Sequence, residues 1–328
     1  MPPKKKILSG MRPTGKLHLG HLVGTLDNWV ALQKDYECFF MVADWHAFMG
    51  EYEDPQGMPA AMIDNVADWL SAGIDPEQST LFIQSDVKEH LDLHMIFSCL
   101  TPLGWLERCP TYKEQLREVS TRDLHTYGFL GYPVLQAADI LLYKADVVPV
   151  GEDQLPHLEL TREIARRFNS LYKNAVFPEP AAKLTAASRL AGLDGRKMSK
   201  SYNNAINISD DEAAIRAKVQ SMITDPQRVR LSDPGHPDVC GVHAYYAIFA
   251  PDRIAELGPA CTKASIGCTE CKKKLASILV EKLRPFREKR ETLLADKANI
   301  RDILADGARR ARIVAQATLR DARDAMKI

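Results

Sequence analysis

The sequence predicts an α/β chain, a doubly wound parallel sheet in its first half followed by a helical region. Three observations lead there. Short apolar runs alternate with helix-period stretches up to about residue 180. Pro-rich "FPEPAAK" (177–183) and polar "GLDGRKMSKSYNN" (192–204) then interrupt that rhythm. Beyond them a mostly apolar, Ala-rich stripe at helical spacing runs through positions 300, 303/304, 308, 311, 314/315, 318, 322 and 325/326.

Taken in order, "KILSG" (6–10), "CFFMVAD" (38–44), "TLFIQS" (80–85) and "DVVPVG" (146–151) read as buried strands. Met58, Met62, Val66 and Trp69 repeat at helical spacing, and Gly73 stands where a C-cap is wanted. In such sheets ligands sit beyond the carboxyl ends of the strands, so chemistry is expected in the loops that follow them.

Bulk properties set the frame. The chain has 328 residues, 45% hydrophobic and 26% charged, ordinary for a globular protein able to build a sizeable core. No apolar run approaches the roughly 18 residues of a membrane helix. The start, "MPPKKKILSG", lacks the apolar stretch of a signal peptide, and a cytoplasmic location is expected. The net charge of +0 conceals an asymmetry. Residues 41–100 carry eleven acidic side chains and one basic, Lys88, whereas residues 271–290 carry eight basic and two acidic. The basic block suits a polyanion such as RNA, or a solvated helix face.

Two stretches carry chemistry. "SGMRPTGKLHLGHLVGTL" (9–26) follows the first strand, and its glycines allow backbone to approach a ligand closely. His18 and His21 are three apart and share one face at a helix start, where N–H groups and the helix dipole favour phosphate. The stretch is neither GxGxxG nor a P-loop. In "GRKMSKS" (195–201), Lys197, Lys200, Ser199 and Ser201 sit on a Gly-preceded loop without apolar periodicity. Ammonium and hydroxyl groups there can neutralise a leaving pyrophosphate.

In this order the two motifs resemble the HIGH (here HLGH) and KMSKS signatures of class I aminoacyl-tRNA synthetases. "GYPVLQAADILLYKADVVPVGEDQLPHLELTREIARRFN" (131–169), "VADWHAF" (42–48), "GIDPEQSTLFIQSDV" (73–87) and "TDPQRVRLSDPG" (224–235) narrow the resemblance to the tryptophanyl-tRNA synthetase family. It spans essentially the whole chain. It implies a Rossmann-like catalytic domain (1–188) that binds ATP and tryptophan. A KMSKS loop and helical anticodon-binding domain (189–328) would follow, with the C-terminal helix able to pack back on the first domain.

The resemblance also implies roles. His18, His21, Lys197 and Lys200 would be catalytic. Arg12, Pro13, Thr14, Gly20, Gly151, Glu152, Asp153, Leu190, Met198, Ser199 and Ser201 would join them in holding ATP, with Glu152 and Asp153 near the ribose. Leu8, Gly10, Val148 and Val150 would line an indole pocket. Tyr132, Gln136 and Gln154 would hold the α-ammonium group. Asp139 would accept the indole N–H, which only donates. An acid among the apolar residues of "QAADILLYK" needs a partner in any case. Arg12 and Gln136 stand where many bacterial members have glutamine and methionine. No nucleophilic side chain is required: the substrate carboxylate would attack the α-phosphate of Mg²⁺-bound ATP, and tRNA(Trp) would take the acyl group. A homodimer is expected, as in other members.

The chain has seven cysteines. Cys38, Cys99 and Cys109 are expected to be buried thiols or bystanders. Cys240, Cys261, Cys268 and Cys271, with twenty, six and two residues between them, can supply four thiolates to zinc or to an iron–sulfur cluster. "CTKASIGCTECKK" resembles the segment of those tryptophanyl-tRNA synthetases that bind a [4Fe–4S] cluster, although the first spacing there is twenty-two. Zinc, or four unligated thiols, remain open. The rival readings are a tyrosyl-tRNA synthetase, a nucleotidyltransferase with an HxGH motif, and a non-enzymatic RNA-binding paralogue.

Overall fold

The computed structural model describes residues 3–110, 112–113, 116, 123–184, 190–199 and 202–328. Five parallel strands form one sheet: β1 (Lys6–Met11), β2 (Glu37–Val42), β3 (Ser79–Ile83), β4 (Val147–Val150) and β5 (Ala181–Leu184). Their order is β3-β2-β1-β4-β5. β2 continues the register of β1 from Ile7↔Cys38 to Met11↔Val42. The order reverses between β1 and β4, which opens a crevice at their carboxyl ends.

All four expected strands are present. β5 was not expected, because "FPEPAAK" reads as a Pro-rich break. Its side chains are mostly exposed and it contains no β-branched residue. Pairing with β4 from Val147↔Ala181 to Val150↔Leu184 makes the strand. That is an edge-strand signal in hydrogen bonding and not in hydrophobicity.

The strands in the middle of the sheet are mostly apolar because both faces are covered. Their two-residue alternation sorts the side chains into separate cores. Ile7, Phe40, Val42 and Leu81 face α2 (Asp27–Leu32) and α4 (Met58–Ala72). Leu8, Phe39, Met41, Phe82 and Val148 face α5 (Glu89–Leu100), α7 (Tyr127–Leu142) and α8 (Leu155–Tyr172). Short helices α1 (Leu19–His21), α3 (Asp44–Glu51) and α6 (Leu103–Glu107) complete this half. α4 ends at Gly73, whose φ of 111° is the left-handed cap that the sequence suggests.

The helical region holds α9 (Glu212–Ser221), α10 (Gly241–Phe249), α11 (Ile254–Thr262), α12 (Cys268–Ala295) and α13 (Lys297–Met326). Ile206, Ile215, Tyr245, Leu275 and Leu279 are buried in the same core as the first face of the sheet. α13 returns along β3. Ile300, Leu304, Ala308, Ala311, Ala315, Thr318 and Ala322 of the stripe read from the sequence are buried, and so are Gly307 and Leu319, which lie outside it. Arg310 donates to the Ser79 and Pro76 carbonyls at 3.2 and 2.9 Å, tying α13 to the start of β3.

Candidate active site

Leu17–His21 lead out of the loop after β1 into α1. Backbone bonds Leu19 N–H to Ile206 O and Ile208 N–H to Leu17 O, both 2.9 Å, fasten this segment to residues that follow the 195–201 loop. The rings of His18 and His21 lie 3.8 Å apart, and His21 Nδ1 accepts the His18 N–H at 3.2 Å. Gly20 keeps this packing close. A Cβ on it would stand 3.0 Å from the His18 ring and 3.7 Å from Met198 Sδ. The two motifs, far apart in sequence, are therefore neighbours in space.

Asn204 shapes the described part of the second motif. Its Oδ1 accepts the Ser199 N–H at 2.9 Å, and its Nδ2 donates to the Lys197 carbonyl at 3.1 Å and to Asp194 Oδ1 at 2.7 Å. Asp194 also accepts Arg196 Nε at 2.7 Å across the turn closed by Gly195, φ 78°. Met198 is buried, which leaves the Lys197 side chain exposed. Leu190 is buried nearby in the same core. Lys200 and Ser201, named as loop residues on sequence grounds, lie outside the described residues.

A cavity of about 360 Å³ opens at the crevice between β1 and β4. Leu8, Gly10, Tyr132, Gln136, Asp139, Val148, Val150 and Gln154, all eight residues expected around tryptophan, line it, as do Arg12 and Gly151. Pro13 and Thr14 follow Arg12 out of β1, and Thr14 N–H bonds the Arg12 carbonyl at 2.9 Å. Glu152 and Asp153 are exposed just past β4, where Asp153 accepts from Gln154 Nε2 at 2.9 Å. A Cβ on Gly151 would meet the exposed Asp153 Oδ1 at 2.6 Å, so a side chain there would displace the Asp153 carboxylate.

Asp139 is the cavity's buried charge. Oδ1 accepts from Gln84 Nε2 at 2.8 Å and from His90 Nδ1 at 2.6 Å, and Oδ2 accepts from His46 Nε2 at 2.8 Å. Burial by itself would raise its pKa, but the bonds from His46 and His90 outweigh burial and bring it down to about 2. An ionised, acceptor-only group thus sits among apolar walls.

A second chain of polar groups stands at the other side. His157 Nε2 meets the Tyr132 hydroxyl at 3.0 Å, and its Nδ1 faces Cys109 Sγ at 3.6 Å. Burial, aided by the charge of His46, lowers the His157 pKa to about 4. Cys109 is therefore a buried partner of His157 behind the cavity wall, whereas Cys38 is buried elsewhere and Cys99 is exposed.

His46, Gln84, His90 and His157 were not singled out from the sequence. One signal could have found two of them. Arg12, His46, Gln84 and Gly151 each lie within four residues of a strand's carboxyl end, where a doubly wound sheet gathers its ligand groups.

The four remaining cysteines come from α10's start, α11 and the first turn of α12. Among the described residues, no group of three or more His, Cys, Asp or Glu is arranged to hold a metal ion. The thiols nevertheless share a neighbourhood. Burial first, then the charges of Cys240, Cys261 and Cys268, push Cys271 up to about 11. Arg228 Nη1 faces Cys261 Sγ at 3.9 Å and Cys268 Sγ at 4.0 Å, and Gly235 leaves no room for a side chain beside Cys261 Sγ. Four soft donors beside a fixed cation suit the anionic thiolate set of a cluster or of zinc in chemistry, although the sulfurs do not stand in ligating positions.

This sheet, its switch-point crevice and its paired histidine and lysine loops are the scaffold of a class I nucleotide-dependent activating enzyme. The family described as "tRNA synthetases class I (W and Y)" matches residues 3–284. The tryptophan–tRNA ligase of Thermotoga maritima is 51% identical over 98% of this chain and 99% of its own length. That of Ralstonia nicotianae is 42% identical over 98% of each. The crystal structure of tryptophanyl-tRNA synthetase from Campylobacter jejuni complexed with ADP and tryptophan superposes with a TM-score of 0.89, 33% identical, covering 98% of this chain and 100% of that one. The chain belongs to the class I tRNA synthetases of the W and Y branch, and within it to the tryptophan–tRNA ligases.

Proposed function

We propose that this chain activates L-tryptophan with Mg²⁺-bound ATP and then charges tRNA(Trp). Asp139 is the observation that carries the choice of amino acid: an ionised carboxylate among apolar walls of a cavity at the sheet's switch point. It rewards the indole N–H and stays unsatisfied against an apolar ring of similar shape. Leu8, Gly10, Val148 and Val150 flank the indole, and Tyr132, Gln136 and Gln154 receive the α-ammonium group.

In the first step a tryptophan carboxylate oxygen bonds to the α-phosphorus, and the bond from that phosphorus to the bridging oxygen of pyrophosphate breaks. His18, His21, Lys197 and Lys200 stabilise the charge that develops. Arg12, Pro13, Thr14, Gly20, Leu190, Met198, Ser199 and Ser201 hold the nucleotide, with Gly151, Glu152 and Asp153 at its ribose. In the second step the 2′-hydroxyl of the tRNA's terminal ribose takes the acyl group, and AMP leaves.

The catalytic domain is residues 1–188 and the anticodon-binding domain residues 189–328. The enzyme works in the cytoplasm as a homodimer. Among the described residues, no helix is long and apolar enough to cross a membrane. Cys240, Cys261, Cys268 and Cys271 would hold a [4Fe–4S] cluster, or zinc in its place, that stiffens the basic surface of Lys272–Lys274 against the tRNA. It would supply a structural clasp and no electron to either step.

Tryptophan-dependent exchange of pyrophosphate into ATP, followed by charging of tRNA(Trp), tests the reading. Exchange with tryptophan and little with tyrosine is expected. Exchange that prefers tyrosine, or none with either, overturns it.

A further inference from the structure

Asp139 does not stand alone behind the cavity. His90 and Tyr143, both fully buried, form a line that ends on its inner oxygen: Asp139 Oδ1 to His90 Nδ1 at 2.6 Å, and His90 Nε2 to the Tyr143 hydroxyl at 2.8 Å. Tyr143 is clamped in turn by Phe39, stacked at 4.6 Å, and Phe82, tilted at 5.6 Å. The outer oxygen, Oδ2, meets His46, which lines the cavity.

The direction of every proton in this line follows from chemistry. An ionised carboxylate only accepts, so Nδ1 of His90 carries a hydrogen. Burial, and then the charges of Asp139 and Glu89, hold the Tyr143 hydroxyl in its protonated form. With that hydroxyl donating to Nε2, the line runs one way, from Tyr143 through His90 to Asp139.

We infer that His90 and Tyr143 are positioning residues for indole recognition: their one-way line occupies Oδ1, so that Asp139 offers Oδ2 to the cavity solely as an acceptor. The inference deepens the proposed function and rests on tryptophan being the substrate. His46 and, at 3.0 Å, Gln84 also donate to Oδ2, and the indole N–H arrives at the same atom. Without His90, Oδ1 loses its shortest bond, Gln84 and His46 are left to hold the carboxylate, and its protonation becomes easier. A protonated carboxyl would present an O–H to the indole N–H, a clash of two donors.

The test compares L-tryptophan with the analogue whose ring nitrogen is replaced by sulfur, 3-(benzothiophen-3-yl)-L-alanine, which has the same shape without the N–H. Dissociation constants are measured from pH 5 to 8 for the full-length wild type, His90→Phe, Tyr143→Phe and His90→Asn. His90→Phe is expected to weaken tryptophan by about tenfold or more, the size of a lost bond to a charged group, and Tyr143→Phe by about three- to tenfold. Binding of the sulfur analogue and the KM for ATP should stay near wild type. His90→Asn, whose amide nitrogen can replace Nδ1–H, should recover most of the affinity.

The His90→Phe affinity should also fall more steeply than the wild type's below pH 6. The groups facing this line are His46, His94, Glu89 and Arg312, and all are retained in each variant; His90 itself is a titratable group that His90→Phe removes, so Tyr143→Phe, which keeps it, is measured over the same range. Equal losses for tryptophan and the sulfur analogue, or no loss for either, would overturn the inference. If His90→Phe does not fold, Tyr143→Phe decides by the same comparison. A wild type without tryptophan-dependent exchange would sink the proposed function itself, whereas an active wild type with unselective variants sinks only the line.

Discussion

Gly307 of the last helix lies so close to the Leu81 backbone in β3 that no Cβ fits between them. The obstacle is main chain in a buried strand, which cannot swing aside as a side chain would. Gly307→Ala is therefore expected to destabilise the protein by about 1–3 kcal/mol, the range for forced backbone shifts. Thermal and urea unfolding would show it. An unchanged midpoint would mean that α13 is free to lift from the sheet.

Gly20→Ala should act on chemistry and not on folding. The new methyl meets the His18 ring at 3.0 Å, so the ring must move by a few tenths of an ångström. With phosphate groups to be aligned, we expect tryptophan-dependent exchange to fall by about tenfold or more. The unfolding midpoint should stay near wild type. Full activity would place His18 outside the chemistry.

Asn204→Ala should loosen the lysine loop. It removes acceptors and donors for Ser199 N–H, the Lys197 carbonyl and Asp194 together. A loss of about 1 kcal/mol is expected for the half-buried bonds removed, since Asp194 keeps Arg196. Steady-state exchange should show a lower kcat with little change in the KM for tryptophan. A rise in that KM alone would contradict the assignment.

His157 predicts a specific acid sensitivity. Its folded pKa, about 4, lies below the model-compound value of 6.5 because burial disfavours the charged ring. At neutral pH both folded and unfolded chains hold it neutral, and it costs nothing. As pH falls from 6.5 to 4 the unfolded chain binds a proton that the folded chain refuses, so stability drops by up to about 3 kcal/mol. His157→Gln should flatten the stability profile across that window. A profile as steep as wild type would assign the acid loss to other groups.

The four-cysteine site is checked by metal analysis of protein purified without oxygen. About four irons with matching sulfide per chain would identify the cluster, and one zinc would identify a structural clasp. Cys268→Ser is expected to lose the metal and weaken tRNA binding while leaving exchange intact. Metal-free protein that still binds tRNA normally would refute the site.

Much of this protein was legible before folding. The four core strands were visible because a parallel sheet covered on both faces must be apolar throughout, and α13 because its stripe keeps a helical period to the end. "HLGH" and "KMSKS" were legible because chemistry demands those residue types on contiguous backbone. β5 was not, since an exposed edge strand is made by its partner's hydrogen bonds and leaves little trace in hydrophobicity.

By itself the sequence determined the fold class, and the resemblance it carries named the two signature loops and eight of the residues that line the cavity. Only the tertiary structure decided what those residues touch. His46, Gln84 and His90 reach Asp139 from three separate elements, and His157 reaches Tyr132 from a fourth. Asn204 locks a loop that it follows by several residues, and Met198 closes on Gly20 from the far half of the chain. Hydrogen bonds of this kind depend on distances of a few ångströms between elements remote in sequence. Composition and periodicity record which face is buried, but not which polar groups meet there.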